Sequence, residues 1–99
     1  MTFDEIYDKF ASASATVPGK KVKFDFGDDG KIFLDGGAGT VSKDDAAADT
    51  TIKVKLADFI DMAGGKLDPT AAFMQGKLRV EGDMGVAMQL QSVMSKLRG

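Results

Sequence analysis

The stretch Lys21-Val22-Lys23-Phe24-Asp25-Phe26, followed by Gly27-Asp28-Asp29-Gly30 and then Lys31-Ile32-Phe33-Leu34-Asp35, decides the fold class. Apolar Val22, Phe24 and Phe26 alternate with charged residues, the two-residue period of a strand with one buried face. The Gly-Asp-Asp-Gly run is a turn signal, so the two apolar segments read as a hairpin. Gly36-Gly37-Ala38-Gly39 turns the chain again into a short strand at Thr40-Val41-Ser42. A polar link (Lys43-Asp44-Asp45-Ala46-Ala47-Ala48-Asp49) leads to Thr50-Thr51-Ile52-Lys53-Val54-Lys55, whose β-branched residues make it the best strand former in the chain. The alternation fits antiparallel strands with one wet face, on which the lysines at 21, 23, 53 and 55 lie.

Helical spacing brackets this β-rich centre. Thr2 and Glu5 have capping-box spacing, and Phe3, Ile6, Tyr7 and Phe10 recur at steps of three and four, predicting a helix over 3–14. Val17-Pro18-Gly19 ends it. Beyond the fourth strand, Leu56, Phe59, Ile60 and Ala63 give a second helix, stopped by Gly64-Gly65. Asp68-Pro69 pairs a cap with proline at the first helical position, predicting a short helix that carries Phe73 and Met74. Lys77-Leu78-Arg79-Val80-Glu81 alternates as a fifth strand. Asp83 then caps a last helix with Val86, Leu90, Val93 and Leu97 on one face. The order α-β-β-β-β-α-α-β-α predicts an α+β fold, with a single five-stranded, mostly antiparallel sheet and helices on one face.

Ninety-nine residues make one domain, 1–99. Thirteen basic against fifteen acidic residues give a net charge of −2, which excludes a nucleic-acid binder that rests on phosphate neutralisation. At 43 % hydrophobic and 28 % charged the composition is globular. No apolar run reaches the ~20 residues of a membrane span, and the acidic start lacks the basic region of a secretory signal. A cytoplasmic location is therefore expected. The absence of Cys and His removes thiolate and imidazole chemistry, hence most triads and transition-metal sites. Neither an enzyme activity nor a cofactor is expected. Seven Phe and six Met nevertheless supply large, adaptable apolar side chains.

Short motifs fail on inspection. Asp25, Asp29 and Gly30 fall at the first, fifth and sixth positions of a calcium loop, but Gly27 and Gly36 occupy positions that need ligands. Gly37-Ala38-Gly39 lacks the third glycine and the following helix of a dinucleotide fingerprint. Gly65-Lys66 and Gly76-Lys77 are each followed by Leu and are not Walker loops. The pairs Asp28-Asp29, Asp44-Asp45 and Asp58/Asp61 lie in polar surroundings, where neither carboxyl is desolvated enough for acid/base work. Ser95-Lys96-Leu97 copies a peroxisomal address but is followed by Arg98-Gly99, so it should be silent.

From Ala48 onward the chain resembles a known family. Ala48-Asp49-Thr50-Thr51-Ile52, Asp58-Phe59, Gly65-Lys66-Leu67-Asp68-Pro69 and above all Phe73-Met74-Gln75-Gly76-Lys77-Leu78-Arg79-Val80-Glu81-Gly82-Asp83-Met84-Gly85 are similar to the sterol carrier protein 2 domain. The C-terminal half matches in register, and the N-terminal half agrees mainly in its helix–hairpin order. The resemblance implies an apolar tunnel between the sheet and its helices. It also implies a carrier of fatty acids, fatty acyl-CoAs, phospholipids or sterols without catalytic residues of its own. Its implied partner is a lipid or fatty acyl ligand, with no nucleic acid and at most transient contact with a membrane. Val22 stands where many members have Trp, and Thr70 and Met88 stand where some have tunnel glutamines. Val22 leaves more room or a different lining, and Thr70 and Met88 favour acyl chains over head-group recognition inside the tunnel. The alternative is an accessory subunit that keeps the fold and presents acyl substrates to a separate enzyme.

An empty tunnel of ~400 Å³ would cost on the order of 10 kcal/mol at the rate found for core cavities, against a total stability of about 5–15 kcal/mol. The space must therefore be filled by lipid or partly collapsed by soft side chains, a role suited to methionine. The expected lining comes from Ile6 and Phe10, from Phe24 and Phe26, and from Phe59 and Met62. Further along the chain it adds Phe73 and Met74, then Met84, Met88 and Leu90.

Overall fold

The computed structural model describes residues 2–13, 15–89 and 93. Helix α1 (Phe3–Ala13) opens the chain. The capping box forms as the spacing predicts: the Glu5 backbone N–H donates to Thr2 Oγ1, and the Thr2 N–H donates to Glu5 Oε1, each at 3.2 Å. Strands β1 (Lys21–Asp25) and β2 (Lys31–Asp35) form the hairpin, joined through a single turn of 3₁₀ helix at Gly27–Asp29. Strand β3 (Thr40–Ser42) continues the meander, and β4 (Thr50–Val54) follows the Ala/Asp link. Then come helix α2 (Leu56–Ala63), helix α3 (Pro69–Met74), strand β5 (Leu78–Gly82) and helix α4 (Met84–Ala87). Val93 is helical as well, while Leu90 and Leu97 of the expected last helix lie outside the described residues.

The five strands make one sheet in the order β3-β2-β1-β4-β5. Three pairings are antiparallel, but β4 lies parallel to β1, with Val22 opposite Thr50 and Phe24 opposite Ile52. The link over residues 43–49 must therefore cross a face of the sheet before β4 begins, as any parallel connection requires. It crosses the face away from the helices. Asp45 bonds the Lys23 ammonium at 2.8 Å and stands 3.8 Å from that of Lys31. This latch spans Phe33, the cross-strand neighbour of Lys23, and Phe33 is buried on an otherwise polar face.

The hydrogen bond from Lys23, helped by the charges of Lys23 and Lys31, holds the Asp45 carboxyl below the ordinary aspartate value of 3.8. A lowered folded pKa gives stabilisation that is present above the ordinary value and lost as pH falls through the lower one. Acid titration by NMR should show Asp45 titrating below 3.8, with the Lys23 ammonium resonance and the 43–49 amides moving together. An Asp45 that titrates at or above 3.8 would argue against the latch.

The opposite face is apolar. Val22, Phe24, Ile32, Leu34, Ile52, Val54 and Leu78 form one buried cluster with Ile6 and Phe10 of α1, Phe59 and Met62 of α2, Ala72 of α3 and Val86 of α4. All four helices contribute to this side. Thr50 is fully buried among them, and its hydroxyl donates to the Asp83 carbonyl at 2.7 Å, tying β4 to the start of α4. Two glycines permit close backbone crossings here. A Cβ on Gly82, whose φ is +104°, would sit 2.3 Å from the Asp49 carbonyl oxygen, and one on Gly36 would sit 1.7 Å from that of Val17.

Candidate functional site

The apolar layer between sheet and helices centres on four phenylalanines. Phe24 points inward from β1 by strand parity, and Phe26 follows two residues later with the same parity. Phe10 reaches the layer one turn after Ile6 on α1, and Phe59 reaches it one turn after Lys55, the cap residue of α2. The Phe59 ring lies 5.7, 5.4 and 5.1 Å from those of Phe10, Phe24 and Phe26. Phe10 and Phe24 are 5.2 Å apart. Edge-to-face and offset contacts of this kind add about 0.5–1.5 kcal/mol per pair beyond area burial. Met62, one turn beyond Phe59, is also fully buried. No buried side-chain nitrogen or oxygen among the described residues lacks a partner, so this layer holds no unsatisfied polar group.

The expected lining thus divides. Ile6, Phe10, Phe24, Phe26, Phe59 and Met62 meet in the buried layer. Phe73 and Met74 on α3, with Met84 and Met88 on and just after α4, are 46, 80, 51 and 83 % exposed. They are the large exposed hydrophobics of the described residues. Leu90 lies outside the described residues. A helix of six residues and one of four are too short for periodicity to assign a face. Their caps were legible: Asp68 accepts from the Thr70 N–H and Asp83 from the Gly85 N–H. Val22 is buried, and Thr70 is exposed.

Three contacts of the layer's rim were not read from the sequence. The Tyr7 hydroxyl donates to the Val41 carbonyl at 3.1 Å, tying α1 to β3. Lys43 packs its ammonium 4.8 Å from the Tyr7 ring centre and 3.1 Å from Asp4 Oδ1. The contacts join residues 34 to 39 positions apart, a separation at which helical or strand periodicity carries no signal. The three carboxylate pairs tested as acid/base candidates sit on exposed or half-exposed positions, and among the described residues no three acidic side chains converge on a metal-sized site.

The profile of the SCP-2 sterol transfer family matches residues 6–95. Hydroxysteroid dehydrogenase-like protein 2 of Danio rerio is 47 % identical over 51 residues, which are 52 % of this chain and 12 % of that protein. Sterol carrier protein 2 of Rattus norvegicus is 47 % identical over 63 residues, covering 63 % of this chain and 12 % of that protein. The chain therefore spans about an eighth of the length of these curated relatives. Among solved structures, sterol carrier protein 2 from Aedes aegypti in complex with palmitate superposes with a TM-score of 0.76 at 19 % identity, over 94 % of each chain. At that identity the superposition establishes the fold alone.

Proposed function

The chain belongs to the SCP-2 sterol transfer family, and on that premise we propose that it is a non-specific lipid carrier. It takes a fatty acid, fatty acyl-CoA, sterol or other lipid into an apolar tunnel between sheet and helices. The observation that carries this reading is the Phe10–Phe24–Phe26–Phe59 cluster, which joins both layers without a polar group among its rings. Palmitate in the Aedes aegypti relative supports an acyl ligand. Each methylene of a ligand moved from water into this layer is worth about 0.8 kcal/mol, so an acyl chain can separate these side chains without any polar anchor. Phe73, Met74, Met84 and Met88 are proposed as the outer part of the lining, where the chain enters.

The test is extraction of the purified protein with organic solvent and identification of what is released, alongside uptake of a fluorescent fatty acid. Acyl lipid in the extract and saturable uptake are the expected results. Phe73→Asp should weaken uptake about tenfold, one charge in an apolar lining, and should leave the fold intact because Phe73 is half exposed. Unchanged uptake would remove α3 from the lining, and a protein that takes up no acyl or sterol probe would sink the carrier reading.

One observation favours a second reading. In the dehydrogenase-like relative the matching segment is a small part of a long chain, which suits a domain that serves an enzyme. An accessory subunit of that kind would form a stable complex in pull-down and show no probe uptake of its own.

A further inference from the structure

The register of β4 and β5 places Lys53 directly opposite Arg79. Lys55 and Lys77 flank the end rung of the same ladder, Val54–Leu78. These four cations line one open groove of about 300 Å³ at the end of the sheet, with Phe26 and Val54 as its apolar floor. Four of the chain's 13 basic residues thus line the groove beside a single acidic lining residue, Asp25, with Glu81 at its edge, in a protein of net charge −2. Asp25 is occupied in part, since its Oδ1 accepts the Gly27 N–H at 2.8 Å. Lys53 is paired with Glu81 at 3.2 Å. Lys55, Lys77 and Arg79 have no carboxylate within ion-pair distance among the described residues.

Like charges facing each other across a ladder destabilise a sheet. Glu81 and Asp25, the latter opposite Lys53 across β1, relieve this at Lys53, while Lys55, Lys77 and Arg79 have no such carboxylate among the described residues. A carboxylate ligand could neutralise only one of them. A phosphate carries about −1.5 to −2 at neutral pH and three acceptor oxygens, and a guanidinium grips two such oxygens at once. The groove's volume lies at the small end of ligand sites.

We propose that this groove binds a phosphate-bearing anion, held by Arg79 with Lys55 and Lys77 beside it. Phe26 connects the groove to the apolar layer, its ring 5.1 Å from that of Phe59. The anion can accordingly be free or the headgroup of a lipid; only the second source rests on the carrier reading.

Titration with inorganic pyrophosphate at low salt, followed by NMR, should give saturable shifts at Lys55, Gly76, Lys77 and Arg79 that fade as salt is added. Arg79→Gln and Lys77→Gln should each weaken binding about tenfold, the loss of one charge-assisted hydrogen bond. Lys9→Gln, on the exposed side of α1, should leave it unchanged. Arg79→Glu should abolish binding while the melting temperature holds or rises, because a carboxylate then faces Lys53. That second readout separates loss of the site from loss of the fold.

Flotation with vesicles of phosphatidic acid in phosphatidylcholine, against phosphatidylcholine alone, distinguishes the sources. Capture by the acidic vesicles that Arg79→Glu abolishes assigns a lipid headgroup; pyrophosphate binding without capture assigns a soluble anion. Absence of both, or binding indifferent to every substitution, overturns the proposal. Pyrophosphate has no acyl chain, so a protein that binds it but takes up no fatty acid keeps this site and loses the carrier reading.

Discussion

Phe59→Ala should cost about 3–5 kcal/mol of stability, the range for truncating a buried phenylalanine. Phe59 is fully buried, and its ring contacts three other rings contributed by α1, β1 and the residue that follows β1. Truncation removes the transfer free energy of the ring and leaves a space that Phe10, Phe24 and Phe26 can close only by leaving their rotamers. Against a total of about 5–15 kcal/mol for a native domain, the loss should lower the melting temperature on the order of 20 °C. Urea unfolding should show the midpoint falling at unchanged slope. Phe73→Ala, at a half-exposed position, should move the midpoint far less. A Phe59→Ala loss below about 1 kcal/mol, within the range of surface changes and volume-conserving swaps, would mean the four rings are not a packed unit.

Gly36→Ala should be comparably severe for a different reason. Its φ is not positive, so backbone conformation is no obstacle; space is. A Cβ there would stand 1.7 Å from the Val17 carbonyl oxygen and 2.7 Å from that of Lys20, and both are backbone atoms that cannot rotate away. The same glycine donates its N–H to the Lys20 carbonyl at 2.8 Å, so displacing the 17–20 segment also breaks that bond. Overpacking costs about 1–3 kcal/mol where side chains can yield, and here the loss should be about 3 kcal/mol or more. Gly37→Ala supplies the control. Its nearest neighbour is Asp35 Oδ1 at 3.4 Å, an ordinary contact, and it should be neutral to within about 0.5 kcal/mol. Equal midpoints for the two variants would contradict the close approach of Gly36 to the 17–20 segment.

What was legible in the sequence follows from how locally each feature is encoded. The helix of Ile6 and Phe10, the strand of Val22 and Phe24, and the caps at Thr2, Asp68 and Asp83 each rest on residues a few positions apart, and all are present. Alternation says that a strand has a wet face but not which strand it pairs with. The parallel neighbour of β1 was therefore not legible, nor was the link that crosses the outer face and bonds Lys23 through Asp45. The register that sets Lys53 against Arg79 was hidden for the same reason: each lysine looked like one more solvated position. Within the site, the buried residues come from long elements with a clear period. The exposed ones come from α3 and α4, where apolar character was visible but its direction was not.

The gradient of methionine exposure carries a chemical consequence. In a chain without cysteine, oxidants meet sulfur only as thioether. Met62 is shielded completely, while Met74 and Met88 stand 80 and 83 % open to solvent. Peroxide would thus convert the outer sulfurs to polar, chiral sulfoxides long before it reached the inner one. The soft surface would become hydrophilic while the phenylalanine layer stayed intact, a change that reductases reverse without refolding the protein.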